Sequence, residues 1–586
     1  MRTLALFSVT LLLAGCTKLA PSAHHAPDPA AARFSKLAED YVAGYLAWRP
    51  QMGTLLGLHQ YDGRAPDYSR ASLTAELARL KRFERRLSAL DSARLSPQER
   101  FDQRLLLSAV RREIFGFEDL QTYTLNPMVY AGTFDVNIYM KRDFAPLADR
   151  LRSVIAILKQ APELMADAHA NLADALPRPQ VETAIEVATG AADFLAKDLV
   201  EAFKGVTDPA LQADFQAANQ RAVEELRGFA TWLHDQKLPK ANDHYALGHD
   251  KYARMLLVGE MLDLAPEHLL DLGLRELAHQ QAAFADAAHR IDPTQPPRAV
   301  FRAIQQDHPP AAELIADTTR DLEAIRQFVL DHHIVTLPSP VRAQVAETPQ
   351  FMRATSFASM DTPGPFETKA TEAYYYVTPV DPTWPPAQQG EWLTAFNYYT
   401  TDIVSIHEAY PGHYVQFLCL NASPATRLEK IFTSYAFVEG WAHYAEQMMV
   451  DEGFGADTSG AARAAKFRLA QADEALLRVC RLCVSIKMHC QGMTVEQATR
   501  FFQDNCYYEE KPAHDEAMRG TFDPEYLYYT VGKLELLKLR ADYRQQVGGA
   551  FDLRAFHDEV LRHGAPPIRL LREVMLTDPA RWKETL

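Results

Sequence analysis

Apolar and charged positions follow a helical period along most of the chain. In the segments 34–48, 71–90 and 147–172, apolar residues recur every three or four positions, and charged residues occupy the opposite face. The segments end at turns that contain proline, such as ALPRPQ and DLAPEH. The pattern therefore predicts a mainly α-helical protein, without the fixed-period repeats of a solenoid.

The period changes after residue 332. Short runs of β-branched and aromatic residues, bounded by prolines, occupy much of 333–378 and are typical of strands. We expect a small antiparallel sheet there. Because Pro379 and Pro382 follow the run at 372–378, this run is predicted to be an edge strand, which can bind an extended peptide through its backbone. The helical period returns at 396–420, 428–450, 462–491 and 524–547.

The chain is long and acidic. Its 586 residues, 47% of them hydrophobic, suffice for one very large core or several ordinary ones. Its net charge of -15 is opposite in sign to what phosphate backbones attract. We therefore expect no nucleic-acid partner.

The N-terminus has the form of a targeting segment. One arginine precedes an apolar run that ends in the small residues Ala14 and Gly15, followed by Cys16. This pattern resembles a bacterial lipoprotein signal, with residues 1–15 removed and Cys16 acylated; an ordinary secretory signal with a chance cysteine is the alternative. Thr17 after the cysteine favours the outer membrane, so we expect a lipid-anchored protein of the cell envelope, facing the periplasm.

Three regions follow the signal. Residues 16–32 are rich in alanine and proline and read as a flexible linker. We expect a helical region at 33–332 that walls a cleft, and a catalytic region at 333–586. Since no later run supplies about 18 consecutive apolar residues, the lipid is the only predicted contact with the membrane.

Five cysteines remain beyond Cys16. Cys480 and Cys483 form a C-x-x-C, which suggests redox or metal chemistry. They lie in an apolar run with helical spacing, however, and no second C-x-x-C completes a zinc site, so buried thiols are the favoured interpretation. A disulfide between Cys490 and Cys506 is also compatible with an oxidising periplasm.

The stretch IHEAYPGHYVQF at 406–417 resembles a zinc-peptidase helix but changes its spacing. The usual H-E-x-x-H motif puts two histidines four residues apart on one helical face. Here His407 and His413 are six apart, with Glu408 beside the first. Pro411 and Gly412 interrupt a regular helix, so a bulge or wide turn can bring His413 to the usual place. The alternative is that the helix ends at Pro411 and His413 lies in a loop.

A second cluster lies 26 residues after His413. Glu439, His443 and Glu446 are spaced to share one face of an apolar, aromatic helix. Burying a carboxylate and an imidazole there is costly without a partner, and a cation is an economical one. Two imidazoles and one carboxylate are the protein ligands of a catalytic zinc site with an open fourth position. We expect one zinc per chain, with His443 or Glu446 orienting a ligand.

Together the motifs resemble a large bacterial family of conserved domains of unknown function. Many of its members are lipoproteins, and its layout is related to zinc metallopeptidases with a glutamate third ligand. The resemblance rests on His-Glu-x-x-Pro-Gly-His, followed by Glu-Gly-Trp-Ala, and covers about 35–575. It implies that His407, His413 and Glu439 bind the metal and that Glu408 is the general base. It also implies a large, helical, zinc-peptidase-like fold.

The resemblance extends to residues near the substrate. It implies that Tyr529, in a Tyr-x-x-Gly-Lys segment with Lys533, faces the metal and donates to the oxyanion; a packing role for this tyrosine is the alternative. Arg481 and His489 match a helix in which the family carries Arg and then Asp-Thr-Gly-x-His. Here that run reads Ser-Ile-Lys-Met-His, without the aspartate and glycine. Arg481 and Lys533 are expected to bind substrate, and His489 to assist Tyr529.

These expectations define a zinc-dependent hydrolase of peptide bonds in short peptides. The metal would lower the pKa of its bound water and polarise the scissile carbonyl, and Glu408 would carry a proton to the leaving amine. Tyr375, in the tyrosine-rich run, would align the substrate. Two alternatives remain: a non-catalytic lipoprotein that binds peptides or cell-wall fragments, and a metal enzyme with chemistry other than peptide hydrolysis.

Overall fold

The structure is a computed structural model that describes residues 29–349, 353, 357–456 and 461–586. The predicted signal at 1–15 and the acylated Cys16 lie outside the described residues. The first helix begins at Pro29, so the last four residues of the predicted linker are helical.

The described chain from residue 29 to residue 240 is mainly helical, as its period predicts. Local signals set several helix starts: Ser96 caps the fourth helix, Pro97 takes its first position, and Glu99 completes a capping box. The helices are α1 Pro29–Trp48, α2 Pro50–Leu55, α3 Arg70–Ser88, α4 Pro97–Glu118, α5 Thr122–Leu125, α6 Met128–Ala131, α7 Ile138–Lys141, α8 Leu147–Leu158, α9 Ala161–Asn171, α10 Arg178–Ala196, α11 Asp198–Phe203 and α12 Pro209–Trp232.

The remaining helices precede and follow a small sheet along the chain. Four of them precede it: α13 His249–Glu260, α14 Pro266–Ile291, α15 Pro297–Ile304 and α16 Leu314–Asp331. Those that follow it are α17 Pro386–Ala395, α18 Tyr398–Glu408, α19 His413–Ala422, α20 Arg427–Ile431, α21 Tyr435–Asp451, α22 Ala461–Gln491, α23 Val495–Cys506, α24 Glu510–Phe522, α25 Tyr528–Val547, α26 Leu553–Leu561 and α27 Ile568–Met575.

The sheet has three strands, β1 Gln344–Glu347, β2 Ala358–Asp361 and β3 Tyr374–Val377, in the order β1-β3-β2. It is mixed rather than antiparallel, because β1 runs parallel to β3 and β2 antiparallel to it. The prediction of an edge strand at 372–378 is wrong. Pro379 follows β3 without interrupting it, so β3 has its N–H groups free to pair with a strand on each side.

The largest apolar core contains residues from both sides of the predicted boundary at 332/333. The largest apolar cluster joins α14 and α16 to the sheet and to α18, α19, α21 and α22. A second cluster is built mainly from α8 to α12, and a third mainly from α1, α3 and α4. Among the described helices, none combines the length and apolar character that a membrane span requires.

The cysteines of the described chain are all free thiols. Cys480 and Cys483 are fully buried in α22, as their apolar surroundings predict. Cys490 and Cys506 form no disulfide. The C-x-x-C is therefore part of the core packing.

Candidate metal centre

The two histidines of the motif belong to different helices. His407 lies in the last turn of α18, which ends at Glu408, and His413 is the first residue of α19. The four residues between the helices fold back onto the end of α18. A side chain at Gly412 would put its Cβ 1.8 Å from the carbonyl oxygen of His407, so only glycine fits there. The chain thus breaks the helix where the sequence suggested a bulge or wide turn.

Helix α21 holds this break in place and supplies the third candidate ligand. Trp441, fully buried, donates its Nε1–H to the carbonyl oxygen of Pro411 at 2.9 Å. Glu439 lies two residues earlier on the same helix, which Ser434 caps through the Phe437 N–H. The same helix therefore fixes both the loop between the histidines and the carboxylate that faces them.

The side chains of His407, His413 and Glu439 converge on one point. Glu439 Oε2 lies 3.5 Å from Nε2 of His407 and 3.5 Å from Nε2 of His413. One potential ligand atom from each residue lies within 4.8 Å of the other two, and no other such group of three occurs among the described residues. The two imidazole rings are perpendicular, with centroids 4.8 Å apart.

This donor set fits a zinc ion. Ligands of a tetrahedral site with bonds of about 2.1 Å lie roughly 3.4 Å apart, close to the separations of Glu439 Oε2 from the two imidazole nitrogens. Those separations are long for hydrogen bonds, and Glu439 Oε2 is buried without a hydrogen-bond partner among the described residues. A buried carboxylate oxygen that lies between two imidazoles and accepts no hydrogen bond fits a cation shared by all three residues.

Glu446 fixes the orientation of His407. Its Oε1 lies 2.6 Å from Nδ1 of His407, and its Oε2 lies 3.1 Å from Nδ1 of His443. Arg478 contacts the same carboxylate, with Nη2 3.2 Å from Oε1. An ionised carboxylate only accepts, so His407 donates from Nδ1 and keeps Nε2 for a metal. Of the two predicted orienting residues, Glu446 forms a hydrogen bond with His407, and His443 forms one with Glu446.

The pKa values of the cluster follow from burial and close charges. Burial would raise the pKa of Glu439, but His413 and His407 outweigh it and hold this pKa well below its ordinary value. Burial lowers the pKa of His407, yet Glu439 and Glu446 raise it to about 9. Burial lowers the pKa of His443 to about 3, so this imidazole is neutral at pH 7.

Glu408 is oriented by the sheet. The backbone N–H of Met360 in β2 donates to Glu408 Oε2 at 3.1 Å. Since β2 is an edge of the sheet, this N–H points away from β3 and towards α18. The edge strand beside the motif is therefore β2, and its outward-facing backbone lies next to the candidate base.

Tyr529 lies on α25 beside the ligands. Its ring stacks on that of His407 at 6.5 Å, with 20° between the planes. The guanidinium carbons of Arg478 and Arg481 lie 5.8 and 5.1 Å from its ring centre. Burial and the Glu439 charge raise the pKa of Tyr529, against the effect of the arginines, so its hydroxyl stays protonated and can donate.

His489 is not presented to the ligand cluster. Its Nε2 lies 2.8 Å from the carbonyl oxygen of Gly520, and its Nδ1 accepts from the Leu247 N–H at 3.3 Å. Burial lowers its pKa to about 4. With both ring nitrogens engaged by the backbone, His489 has no proton to offer an oxyanion.

Two predicted substrate residues are also occupied elsewhere. Tyr375 is 1% exposed and accepts a hydrogen bond from Ser405 at 3.2 Å, within the core under α18. Lys533 is 1% exposed and pairs with Glu276 at 3.0 Å. Both side chains stabilise the interior and are not available to a substrate.

Sequence reasoning missed four features of the site. They are the Met360 N–H, the Arg478 contact to Glu446, the tie from Trp441 to Pro411 and the pair of Arg519 with Tyr435 near Tyr529. The sequence does give an indication for Arg478, since it precedes Arg481 by three residues and therefore shares a helical face with it. The other three depend on residues distant in sequence, and no local pattern marks them.

Comparison with known proteins identifies a family that covers most of the chain. The model of a bacterial family of proteins of unknown function, DUF885, matches residues 50–575. No curated protein sequence matches the chain.

Two solved structures share the architecture. One is a candidate lipoprotein of unknown function from Shewanella oneidensis, with 26% identity and a TM-score of 0.77, covering 93% of this chain and 99% of that one. The other is a candidate lipoprotein from Colwellia psychrerythraea, with 18% identity and a TM-score of 0.76, covering 94% of this chain and 100% of that one. At 18% identity, the second likeness bears on the fold alone.

Proposed function

We propose that this chain, which belongs to the DUF885 family of bacterial proteins of unknown function, is a zinc-dependent hydrolase of peptide bonds. The observation that carries the proposal is the buried, unpaired Glu439 Oε2 placed 3.5 Å from Nε2 of both His407 and His413. Glu408 stands beside this donor set with its carboxylate oriented by β2. Pure binding of a metal would need the three ligands but no such base.

A zinc ion held by these residues would supply Lewis acidity, polarising a peptide carbonyl and making a water molecule more acidic. Glu408 accepts the proton of the attacking water and returns it to the leaving amine. The Met360 N–H, 3.1 Å from Glu408 Oε2, keeps that carboxylate in one orientation. Glu446 holds the imidazole of His407 in the tautomer that leaves Nε2 open.

Tyr529 is the donor for the developing oxyanion. Its protonated hydroxyl belongs to a ring stacked on the ligand His407. His489 does not share this role, because both of its ring nitrogens form hydrogen bonds with the backbone. A hydrogen bond that forms only as charge develops on the carbonyl oxygen speeds the reaction more than one made to the ground state.

Strand β2 aligns the substrate in this proposal. The carbonyl oxygen of Phe357 accepts from the N–H of Thr378, the residue that follows β3. Because backbone groups alternate in direction along a strand, those of Ala358 and Met360 point away from β3. The outward carbonyls lie on the side of Glu408 and can accept from an extended peptide. This role replaces the one that the sequence suggested for the tyrosine-rich strand β3.

The place of action in this proposal is the cell envelope. Both solved relatives are described as candidate lipoproteins, and Cys16 follows an apolar segment that ends in small residues. We propose lipid attachment at Cys16, with the folded chain on the periplasmic side of the outer membrane. The expected outcome is that Cys16→Ala moves the protein from the membrane fraction to the soluble periplasm.

The test of the activity combines metal content with peptide cleavage. The protein purified without its signal should hold about one zinc per chain and cleave members of a mixed library of short peptides. Glu408→Gln should keep the zinc and lose cleavage, whereas His413→Ala should lose both. Glu496→Gln, an exposed carboxylate paired with Arg500 on α23, is the matched control and should behave like the native chain.

Four results would contradict the proposal. Absence of metal after zinc has been supplied, or metal binding unchanged by Glu439→Ala, would show that the three ligands do not form the site. Metal binding without cleavage of any peptide would favour a metal enzyme of other chemistry. Cleavage that survives Glu408→Gln would remove the assigned base.

A further inference from the structure

Three arginines gather around Tyr529. Arg478 and Arg481 lie on α22, with guanidinium carbons 5.8 and 5.1 Å from the Tyr529 ring centre. Arg519, on α24, donates to the hydroxyl of Tyr435 at 3.2 Å, and the Tyr435 ring lies 5.8 Å from that of Tyr529. Positive side chains from two helices therefore meet beside the candidate oxyanion donor.

Two of these arginines bind a carboxylate through one edge, and Arg519 also donates from Nη2 to Tyr435. Arg481 binds Glu516 with Nε and Nη2, at 2.8 and 2.7 Å. Arg519 binds Asp523 with the same two nitrogens, at 3.0 and 2.9 Å. Among the described residues, no partner contacts Nη1 of either arginine. Each guanidinium is thus oriented by a carboxylate while its second edge keeps unused donors.

The pair stays charged despite its surroundings. Burial and the Arg481 charge lower the pKa of Arg519, but Asp523 and the tyrosines Tyr435 and Tyr529 outweigh them and keep this pKa above its ordinary value. The Arg481 side chain is only 10% exposed and that of Arg519 is 33% exposed. Two fixed, charged donors with restricted access to water are suited to an anion that arrives from the open side of Arg519.

We infer that Arg481 and Arg519 bind a carboxylate of the substrate, and that this carboxylate is the free C-terminus of a short peptide. The inference rests on the proposed hydrolase function, because it names the substrate end that this site takes. Planar guanidinium groups match carboxylates better than a lysine ammonium does, since their donors lie in one fixed fork. The enzyme is thereby an exopeptidase acting near the C-terminus.

The position of the cluster limits what is released. Tyr529 lies between the ligand His407, at 6.5 Å, and Arg481, at 5.1 Å. An extended peptide advances roughly 3.4 Å per residue, so a carboxylate at the arginines lies at most about three residues from the scissile bond. The expected products are single residues or very short fragments from the C-terminal end.

The experiment compares one mixed library of short peptides in two forms, with a free C-terminal carboxylate and with a C-terminal amide. Mass spectrometry follows the cleavage of both forms by the zinc-loaded protein. We expect kcat/KM to be roughly 10- to 100-fold higher for the free acids, the range that charge-assisted hydrogen bonds supply. Arg519→Gln should remove most of this preference, because it lowers kcat/KM for the free acids more than for the amides.

Controls separate recognition from folding. Arg500→Gln, on the exposed face of α23, should keep the full preference. The melting temperature of each variant reports folding. Arg519→Lys should recover only part of the preference, because it restores the charge without the fork. Amidated peptides with a penultimate Asp or Glu show whether a side-chain carboxylate binds as well. If these amides are cleaved as fast as the free acids, the assignment of the site to the C-terminal carboxylate is overturned.

The outcomes distinguish the two proposals. Equal cleavage of acids and amides, or equal losses on both in Arg519→Gln, would overturn the carboxylate site while leaving the hydrolase intact. If neither form is cleaved, the hydrolase proposal fails. Equilibrium binding of the two forms to native protein and to Arg519→Gln then decides the carboxylate site by itself: tighter binding of the acids, lost in the variant, supports it, and equal binding overturns it.

Discussion

At the scale of single residues, one buried carboxylate governs the candidate metal ligand His407. Glu446 accepts from Nδ1 of His407 at 2.6 Å, contacts His443 and Arg478, and is fully buried. Burial would raise the pKa of Glu446, but Arg478 and His443 outweigh it and keep the group ionised. A metal ligand held in one tautomer loses less orientational freedom when it binds.

Glu446→Gln should weaken zinc binding. A neutral amide is a poorer acceptor for Nδ1–H and leaves Arg478 without part of its counter-charge, so we expect zinc affinity to fall by roughly 10- to 100-fold. Competition with a chromophoric chelator measures this change. An affinity within twofold of the native value would contradict the role of Glu446, provided that Glu496→Gln also binds as the native chain does.

Glu260, the last residue of α13, is a second buried carboxylate, and it contacts the start of α21. It accepts from the Ala436 N–H at 3.2 Å and from the Ser434 hydroxyl. Burial raises its pKa to about 7, although these two hydrogen bonds act in the opposite direction. Its pKa in the unfolded chain is near 4.3, so the folded chain binds more protons between these values.

The stability of the protein should therefore fall as pH rises from about 4 to about 7 through Glu260. Because each pKa unit corresponds to about 1.36 kcal/mol, the loss attributable to this group is on the order of 4 kcal/mol. Glu260→Gln should remove this loss. The unfolding free energy of the variant relative to that of the native chain should therefore increase as pH rises from about 4 to about 7. Denaturant unfolding at pH 5, 6 and 8 tests the prediction, and a difference that does not change with pH would refute it.

At the scale of elements, the crossing of α21 and α25 brings Glu439 and Tyr529 together. The helices touch through glycines: a Cβ on Gly440 would lie 2.5 Å from the Gly532 backbone, and a Cβ on Gly532 would lie 1.8 Å from the Ala436 carbonyl oxygen. Neither contact can be relieved by rotating a side chain, since both involve backbone atoms. The two glycines set the distance between the candidate metal ligand Glu439 and the proposed oxyanion donor Tyr529.

Gly532→Ala should separate these helices. Overpacking at such a crossing costs about 1–3 kcal/mol, and displacement of Tyr529 should reduce kcat more than zinc content. Thermal unfolding and single-substrate kinetics measure the two effects. Gly190→Ala is the matched control, because nothing lies within 4 Å of that Cβ on α10, and it should be neutral or slightly stabilising.

At the scale of the whole molecule, the ligands belong to the largest core. Helices α18, α19 and α21 supply His407, His413 and Glu439, and they pack with the sheet, α14, α16 and α22 into one apolar cluster. A ligand set spread over three packed helices exists only in the folded chain. The proposed zinc binding would therefore be coupled to the stability of this core.

Zinc should raise the free energy of unfolding in proportion to the logarithm of its concentration. At a free zinc concentration 100 times the Kd, the gain is about 2.7 kcal/mol, and a chelator should reverse it. Melting temperatures measured over a range of buffered zinc concentrations test this. Glu439→Ala should show no such response, and an equal rise in that variant would place the metal elsewhere.

Much of the architecture follows from the local sequence. Helical periodicity predicts the mainly α fold, which the structure confirms, and β-branched runs bounded by prolines mark the small sheet. The order of strands is beyond such signals. Pro379 indicates where β3 ends but carries no information on how many neighbours the strand has, so the central strand was predicted as an edge.

The sequence by itself determined which residue types could bind a metal: two histidines separated by Pro-Gly, a glutamate beside the first and another 26 residues after the second. Only the tertiary structure decided their convergence, because it depends on the break between α18 and α19 and on Trp441 holding Pro411. It also removed His489, Tyr375 and Lys533 from the site. Spacing along a chain reports faces of one helix, whereas the partners of a buried polar group are set by elements distant in sequence.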